Sequence, residues 1–103
     1  MKRIILMLLL LLSPSVVQAE WIVAECSAYT PNDCGEITAN GEYVHLGGVA
    51  CNFLPFGTKV MIDGIEYTVN DRCGIDNCID IFMLSAEQAI EFGRRYKNVY
   101  VYR

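Results

Sequence analysis

Two acidic residues, Asp71 and Asp80, bracket one short loop in the second half of the chain. A carboxyl group can serve as a general acid or a general base in a reaction that moves a proton. To hold that proton near neutral pH, its pKa must be raised by burial or by a neighbouring like charge. Two aspartates that face one groove supply the second condition. The pair therefore indicates acid and base chemistry.

Each aspartate also has a purely structural interpretation. Asp71 follows Asn70 where a strand enters a loop, and a short carboxylate at such a position often caps loop N–H groups. Asp80 lies between Ile79 and Ile81, so alternation along a strand turns it away from any core that those two residues face. A charge there is usually a solvated surface group. The two interpretations stay open at the level of sequence.

The first nineteen residues have the pattern of a secretory signal peptide. Lys2 and Arg3 precede an unbroken apolar run from Ile4 to Leu12, and small residues lead up to Ala19. As a helix the run is about 14 Å long, against roughly 30 Å for a bilayer core, so we expect no lasting membrane span. We predict a signal peptide at 1–19, one domain at 20–103, and a periplasmic or secreted location.

The composition suits one small folded domain. The 103 residues are 53% hydrophobic and 19% charged, too apolar for disorder and too short for two cores. With 8 Lys and Arg against 12 Asp and Glu, the formal charge is -4, which argues against a nucleic-acid partner because binding phosphates needs a basic face. The single His leaves no multi-histidine metal site. We expect a monomer without metal or cofactor.

Five cysteines follow the predicted signal peptide: Cys26, Cys34, Cys51, Cys73 and Cys78. In the oxidising compartments that exported proteins reach, thiols pair, so we expect two disulfides and one odd thiol. Cys73 and Cys78 flank a short turn and are the most local candidates, although spacing leaves the connectivity open. The same spacing occurs in metal sites, but no second Cys or His pair lies nearby. We therefore expect reducing agent to lower the melting temperature by several degrees.

Periodicity and turn residues predict strands at 21–29, 47–51, 59–62, 65–70, 79–82 and 96–102, with a turn cluster at 30–35. The most distinctive local signal is Asp63-Gly64, a type I′ turn pair between two alternating strands. One helix is predicted, with Ser85 and Gln88 as a capping box and Gly93 at its end; Ala86, Ala89 and Ile90 would share one of its faces. Six strands in so short a chain indicate a mainly β fold, a small closed barrel with one short α-helix, because closure removes exposed edges.

Three segments carry a family resemblance: Thr38-Ala39-Asn40-Gly41-Glu42, then Leu54-Pro55-Phe56-Gly57-Thr58-Lys59-Val60, then Asn70-Asp71-Arg72 followed by Ile79-Asp80-Ile81-Phe82. Their order resembles the double-psi β-barrel domain of the rare lipoprotein A family. Ala28-Tyr29-Thr30 and the stretch from Ile79 to Arg95 are similar to the three-aspartate domain of membrane-bound lytic transglycosylase A, and expansins share the barrel. The resemblance spans roughly residues 26–101 and implies a double-psi β-barrel.

The resemblance also implies cleavage of peptidoglycan glycan strands. Lytic transglycosylases break the β-1,4 bond between N-acetylmuramic acid and N-acetylglucosamine by letting the sugar's own 6-hydroxyl attack C1, so one acid/base carboxyl can suffice. The family positions map catalytic acids onto Asp71, Asp80 and Glu42. Substrate contacts are expected from Tyr29, Tyr43, Arg72 and Asn52.

Most of these additional residues have a plain structural alternative. Glu42 is by default a charge in a surface loop, and a lone His45 in a loop commonly has no special role. Trp and Tyr at strand spacing are more often barrel core than sugar platforms; the residues concerned are Trp21, Tyr29, Tyr43 and Tyr67. A pair between Arg72 and either aspartate would lower the pKa of that acid and favour binding over catalysis.

Two departures from the family patterns keep other classes of function open. Cys51 or Asn52 stands where one pattern has a His and the other its first Asp, and the loop from Asp71 to Asp80 is shorter than in those families. His45 would be a shifted replacement for the missing imidazole. Expansin-like members bind polysaccharide without cleaving it, so a non-catalytic binding module is the main alternative. An inhibitor or structural partner of another wall enzyme is a third.

Overall fold

The computed structural model describes residues 19–102, without the side chain of Cys34, so all of the predicted signal peptide except Ala19 lies outside the described residues. The described chain contains six strands and two helices. They are β1 (Glu20–Tyr29), α1 (Pro31–Cys34), β2 (Gly48–Cys51), β3 (Lys59–Ile62), β4 (Ile65–Asp71), β5 (Cys78–Phe82), α2 (Ala86–Phe92) and β6 (Arg95–Tyr102).

The strands close into a barrel in the order β1-β5-β2-β4-β3-β6. The β1–β5 and β2–β4 pairs are parallel, and the other four pairs are antiparallel. The prediction of a mainly β, closed six-stranded barrel is confirmed. This mixed topology is compatible with a double-psi barrel.

The barrel interior is filled by small and β-branched side chains. Val49, Val60, Val69, Val99 and Val101 are all fully buried there. Each such residue contributes roughly 1.5–3 kcal/mol relative to an exposed position. The interior therefore supplies the main driving force for closure.

A second, smaller cluster lies on the outside of the same wall. Ala50 belongs to it, whereas its neighbours Val49 and Cys51 belong to the interior, as the alternation of a strand requires. Tyr29 and Phe82 meet edge to face beside Ala50, with ring centroids 5.5 Å apart. This outer cluster lies next to the predicted aspartates.

The predicted hairpin between β3 and β4 is confirmed. Ile62 and Ile65 are paired residues at its end, and both connecting residues have positive φ, 53° for Asp63 and 79° for Gly64. A type I′ turn needs this conformation at both positions.

The predicted second-half helix is also present, as α2. The Ser85 hydroxyl accepts a hydrogen bond from the Gln88 backbone N–H at 3.2 Å, and Gly93 ends the helix with φ 67°. The face carrying Ala86, Ala89 and Ile90 borders a small cavity beside α1 rather than the core, which α2 contacts through Phe92.

The prediction of one short α-helix is confirmed by α2; in addition, part of the turn cluster at 30–35 forms the one-turn helix α1. Pro31 occupies the first turn, where its missing N–H costs nothing, and Asp33 Oδ2 accepts from the Thr30 backbone N–H at 2.8 Å. The turn-forming residues are thus also helix-starting residues. Neither helix of the described chain is long and apolar enough to cross a membrane.

Candidate functional site

Asp71 and Asp80 lie on the same outer face of the barrel. Ala50 of β2 pairs with Asp80 of β5 on one side and with Asp71 of β4 on the other. Residues that pair directly project from the same side of a sheet. The two aspartates are therefore two strand spacings apart, about 10 Å between Cα atoms.

A β-bulge in β4 gives Asp71 this orientation. Val49 pairs with Val69 and Ala50 with Asp71, so Asn70 is an extra residue with no partner on β2. Without the extra residue, Asp71 would point inward with Val69, since alternate residues share a face. The bulge reverses this and turns the carboxylate outward, a common use of bulges near functional sites.

The Asp71 carboxylate is engaged by three donors. Oδ1 accepts from the Ala39 backbone N–H at 2.9 Å and from the Arg72 backbone N–H at 2.8 Å. The Tyr29 hydroxyl donates to Oδ2 over a longer 3.4 Å. These are the contacts that the capping interpretation predicts, and they fasten the loop at 38–42 to the end of β4.

Asp80 is half-buried, and its carboxylate accepts fewer hydrogen bonds from the described residues than that of Asp71 does. Ser27, its pairing residue on β1, donates a hydrogen bond to Oδ1. The thiol of Cys73 lies close by: burial first, and then the charge of Asp80, raise the pKa of Cys73 to about 12. Of the two aspartates, Asp80 has the carboxylate with more capacity for a further partner.

Glu42 is tied to the residue that precedes Asp71. Its Oε1 accepts from Asn70 Nδ2 at 2.8 Å and lies 3.2 Å from His45 Nε2. The Asn70 hydrogen bond is the main reason that the pKa of Glu42 lies below its usual value. Asp71, Ala50 and Asp80 form a row across three strands. Glu42 lies beside the Asp71 end of this row, not between the two aspartates.

The sequence interpretation missed three residues that shape this site: Ser27, Asn70 and Gly48. Asn70 is 1% exposed, and a Cβ on Gly48 would lie only 2.5 Å from its Nδ2. The absent side chain of Gly48 therefore makes room for the amide that holds Glu42. Asn70 stood inside a family motif, but its role depends on the bulge, which no local pattern indicated.

Arg72 and Asn52, which were predicted to contact substrate, join the segment at 51–54 to the segment at 72–73 by hydrogen bonds. Arg72 Nη1 donates to the carbonyls of Cys51 and Leu54 at 2.6 and 2.8 Å. The same guanidinium lies over the Phe56 ring, 3.9 Å from its centroid, and none of the ion pairs among the described residues joins Arg72 to Asp71 or Asp80. Asn52 brackets the backbone of Cys73, accepting from its N–H at 2.9 Å and donating to its carbonyl at 2.7 Å.

The aromatic candidates separate by exposure. Tyr29 is buried and reaches Asp71, while Tyr43 is 71% exposed on the loop beside Glu42. Tyr67 packs against the core, as its structural interpretation predicts. Trp21 does not follow that interpretation, since it is 63% exposed on the outer face of β1.

The four cysteines with described side chains are free thiols, so the predicted disulfide between Cys73 and Cys78 is not formed. The Cys73 thiol donates to the carbonyls of Ala50 and Cys78, at 3.2 and 3.1 Å. The Cys78 sulfur instead lies 3.4 Å from the Ser27 hydroxyl. The two sulfurs therefore have different partners, one over β2 and one over β1.

A cavity lies beside Phe82, a residue of the outer cluster. It has a volume of about 580 Å³ and lies between the start of β4, the end of β5 and α2, with Tyr67, Phe82 and Phe92 in its wall. Neither Asp71 nor Asp80 lines it. The row formed by Asp71, Ala50 and Asp80 is largely covered: Asp71 is 8% and Ala50 3% exposed, and Asp80 is half-buried.

The chain matches no protein-family model, and no curated protein matches it in sequence.

Proposed function

We propose that this chain is an exported domain that acts on peptidoglycan glycan strands and cleaves them in the manner of a lytic transglycosylase. Asp80 is the general acid and base, and Asp71 is the neighbouring carboxylate. The observation that carries the proposal is the row Asp71, Ala50, Asp80, in which both acids share one outward face about 10 Å apart between Cα atoms. Asp80, the half-buried member of this row, is the carboxylate that a glycan strand would reach, since Asp71 and Ala50 are buried.

The division of roles follows from the hydrogen bonds. Asp71 receives three donors and anchors a loop, so moving a proton there would disturb the fold. Ser27 donates to one oxygen of Asp80 and fixes its orientation, which favours Oδ2 as the reacting oxygen.

One carboxyl is enough for this reaction because the nucleophile belongs to the substrate. Asp80 would protonate the glycosidic oxygen as the bond to C1 breaks, and would take the proton of the attacking 6-hydroxyl. The product is a 1,6-anhydro sugar end, and no water is consumed.

The order of the sequence motifs gives independent support. Thr38 to Glu42, Leu54 to Val60 and Asn70 to Arg72 occur in the order found in rare lipoprotein A domains, and the closed barrel is compatible with that fold. Glu42, held by Asn70 beside Asp71, is the proposed third acidic residue.

The test is to incubate the purified protein with peptidoglycan sacculi and to detect 1,6-anhydro ends by mass spectrometry. Asp80→Asn should abolish them. Asp63→Asn is the matched control: it pairs with Lys97 at 3.0 Å on the β3–β4 turn, and Asn tolerates its positive φ, so activity should persist. Undiminished products from Asp80→Asn would reject the proposal.

A second candidate function, non-catalytic binding of the same polysaccharide, is favoured by a row of three aromatic rings on β1 and β6. Tyr100 is half-buried and contacts the exposed rings of Trp21 and Tyr102, with ring centroids 5.0 and 4.9 Å apart. Aromatic rings combine a large apolar face with polar groups at the edge, which suits sugar surfaces. Retention on sacculi without anhydro products, lost in Trp21→Ala, would favour this function.

A further inference from the structure

The single imidazole of the chain has both ring nitrogens engaged. His45 Nδ1 lies 2.8 Å from the carbonyl oxygen of Leu46, and Nε2 lies 3.2 Å from Glu42 Oε1. Both side chains are about half exposed, 51% for His45 and 44% for Glu42.

These two contacts decide where the protons are. A carbonyl oxygen can only accept, so Nδ1 carries a proton. A neutral imidazole has one N–H, so Nε2 would then turn a lone pair toward the Glu42 carboxylate. The 3.2 Å contact is attractive only when Nε2 is also protonated, that is, when His45 is an imidazolium.

We propose that His45 is a positioning residue whose imidazolium holds Glu42 against Asn70, so that this side-chain attachment of the loop at 38–46 to the end of β4 is complete only while His45 is protonated. We call the contacts from His45 to Glu42 and from Glu42 to Asn70 the clamp. Its consequence for catalysis rests on the proposed function, but the clamp itself does not.

The clamp reaches Asp71 through a short chain of contacts. Asn70 donates to Glu42 at 2.8 Å, its carbonyl accepts from the Asn40 backbone N–H at 3.3 Å, and the next residue, Asp71, accepts from Ala39. Among the described residues, Asn70 Oδ1 is buried without a hydrogen-bond partner, so Nδ2 is the side-chain group that ties Asn70 to the loop.

Deprotonation offers Asn70 another partner. His45 Nε2 lies 3.5 Å from Asn70 Nδ2, and once it has lost its proton it can accept from that amide. Glu42 would then face competition for Asn70 and repulsion from the imidazole lone pair. The loop thus has two arrangements of hydrogen bonds, selected by one proton.

The direction of the pH dependence follows from both groups. The bond to Leu46, and then Glu42, raise the pKa of His45, while Asn70, and then His45, lower the pKa of Glu42. In the described chain, the charged group facing His45 is Glu42 and the one facing Glu42 is His45; Asn70 and Asn40 are neutral. Because the pKa of His45 is raised on folding, its contribution to stability is fully present below the unfolded pKa of about 6.5 and is lost as pH rises through the folded pKa. Because the pKa of Glu42 is lowered on folding, its contribution to stability is present above the unfolded pKa of about 4.3 and is lost as pH falls through the folded pKa. The clamp is complete in mildly acidic conditions.

The single His permits a direct test by NMR on the intact protein. The imidazole C–H and ring nitrogen signals are followed against pH in the wild type, in Glu42→Gln and in a control, Glu87→Gln on the exposed side of α2. We expect a wild-type midpoint above that of the urea-unfolded chain, a downward shift in Glu42→Gln, no shift in Glu87→Gln, and an Nδ1–H tautomer at high pH. Equal midpoints in the wild type and Glu42→Gln, or an Nε2–H tautomer, would overturn the inference.

A second readout covers the loop. Amide exchange at Ala39 and Asn40 should accelerate as pH rises through the His45 midpoint by more than the intrinsic pH dependence, and this excess should vanish in His45→Gln. An excess that persists in His45→Gln would contradict the clamp. Neither measurement uses glycan cleavage, so failure of the proposed function and failure of the clamp give different results.

Discussion

The Asp71 carboxylate joins three parts of the chain: the loop through Ala39, its own strand through Arg72, and β1 through Tyr29. Asp80, by comparison, accepts from Ser27 on the adjacent strand. At the scale of the residue, the two acids therefore differ in how much of the fold depends on them, although they share one face.

This difference predicts unequal stability costs for the two isosteric substitutions. In Asp71→Asn an amide group replaces one acceptor oxygen and the charge is lost, leaving buried donors poorly satisfied, so unfolding free energy should fall by about 1–3 kcal/mol. Asp80→Asn should cost less than about 1 kcal/mol, because one hydrogen bond weakens at a half-buried site. Urea unfolding measures both, and a larger cost for Asp80→Asn would contradict the assignment.

Gly48 supports a second prediction at this scale. Its Cβ would meet the Asn70 amide at 2.5 Å, whereas a Cβ on Gly74 would meet nothing within 4 Å. Gly48→Ala should therefore lower stability by about 1–3 kcal/mol through overpacking and displace Glu42, while Gly74→Ala serves as a matched control. Thermal unfolding compares them, and equal melting temperatures would show that Asn70 moves aside at no cost.

At the scale of the element, the turns and helix ends that depend only on neighbouring residues were predicted from the sequence. The β3–β4 turn follows from Asp63-Gly64, and the limits of α2 follow from Ser85 and Gly93. The helix α1 was missed because Thr30, Pro31 and Asp33 have the same signature in a turn and in a single helical turn. The bulge in β4 could not be predicted, because it is a mismatch between two strands rather than a property of one.

The start of α2 gives a prediction for the element. Ser85→Ala removes the acceptor for the Gln88 backbone N–H and should destabilise the protein by about 1 kcal/mol. Gln88→Ala keeps that backbone bond and introduces a better helix former, so it should change stability by no more than a few tenths of a kcal/mol. Chemical denaturation distinguishes the two, and a larger effect of Gln88→Ala would mean that its side chain completes the cap.

At the scale of the whole molecule, the site exists because β2 lies between β5 and β4. Ala50 acquires Asp80 and Asp71 as neighbours from two strands that follow it at different distances along the chain. The order of the motifs predicted a closed barrel of this kind, but register across the barrel decides which side chains meet. That register is set by long-range pairing, which periodicity within a strand does not contain.

The state of the cysteines is also a property of the whole molecule. Cys26 and Cys51 point into the core, Cys73 and Cys78 lie outside it, and all four are thiols. The denatured protein, never exposed to reductant, should therefore react with a thiol reagent at four or more positions, and reductant should leave the melting temperature unchanged. Fewer than four reactive thiols, or a melting temperature that falls with reductant, would instead support the disulfides expected from export.

The central claim is that the Asp80 carboxyl is the general acid and base in a cleavage whose nucleophile is the 6-hydroxyl of the substrate. The most direct measurement is digestion of sacculi in heavy-oxygen water, with mass spectrometry of the new chain ends. The account predicts anhydro ends that carry no heavy oxygen and that disappear in Asp80→Asn. New ends carrying heavy oxygen, or no new ends from a protein that still binds sacculi, would contradict it.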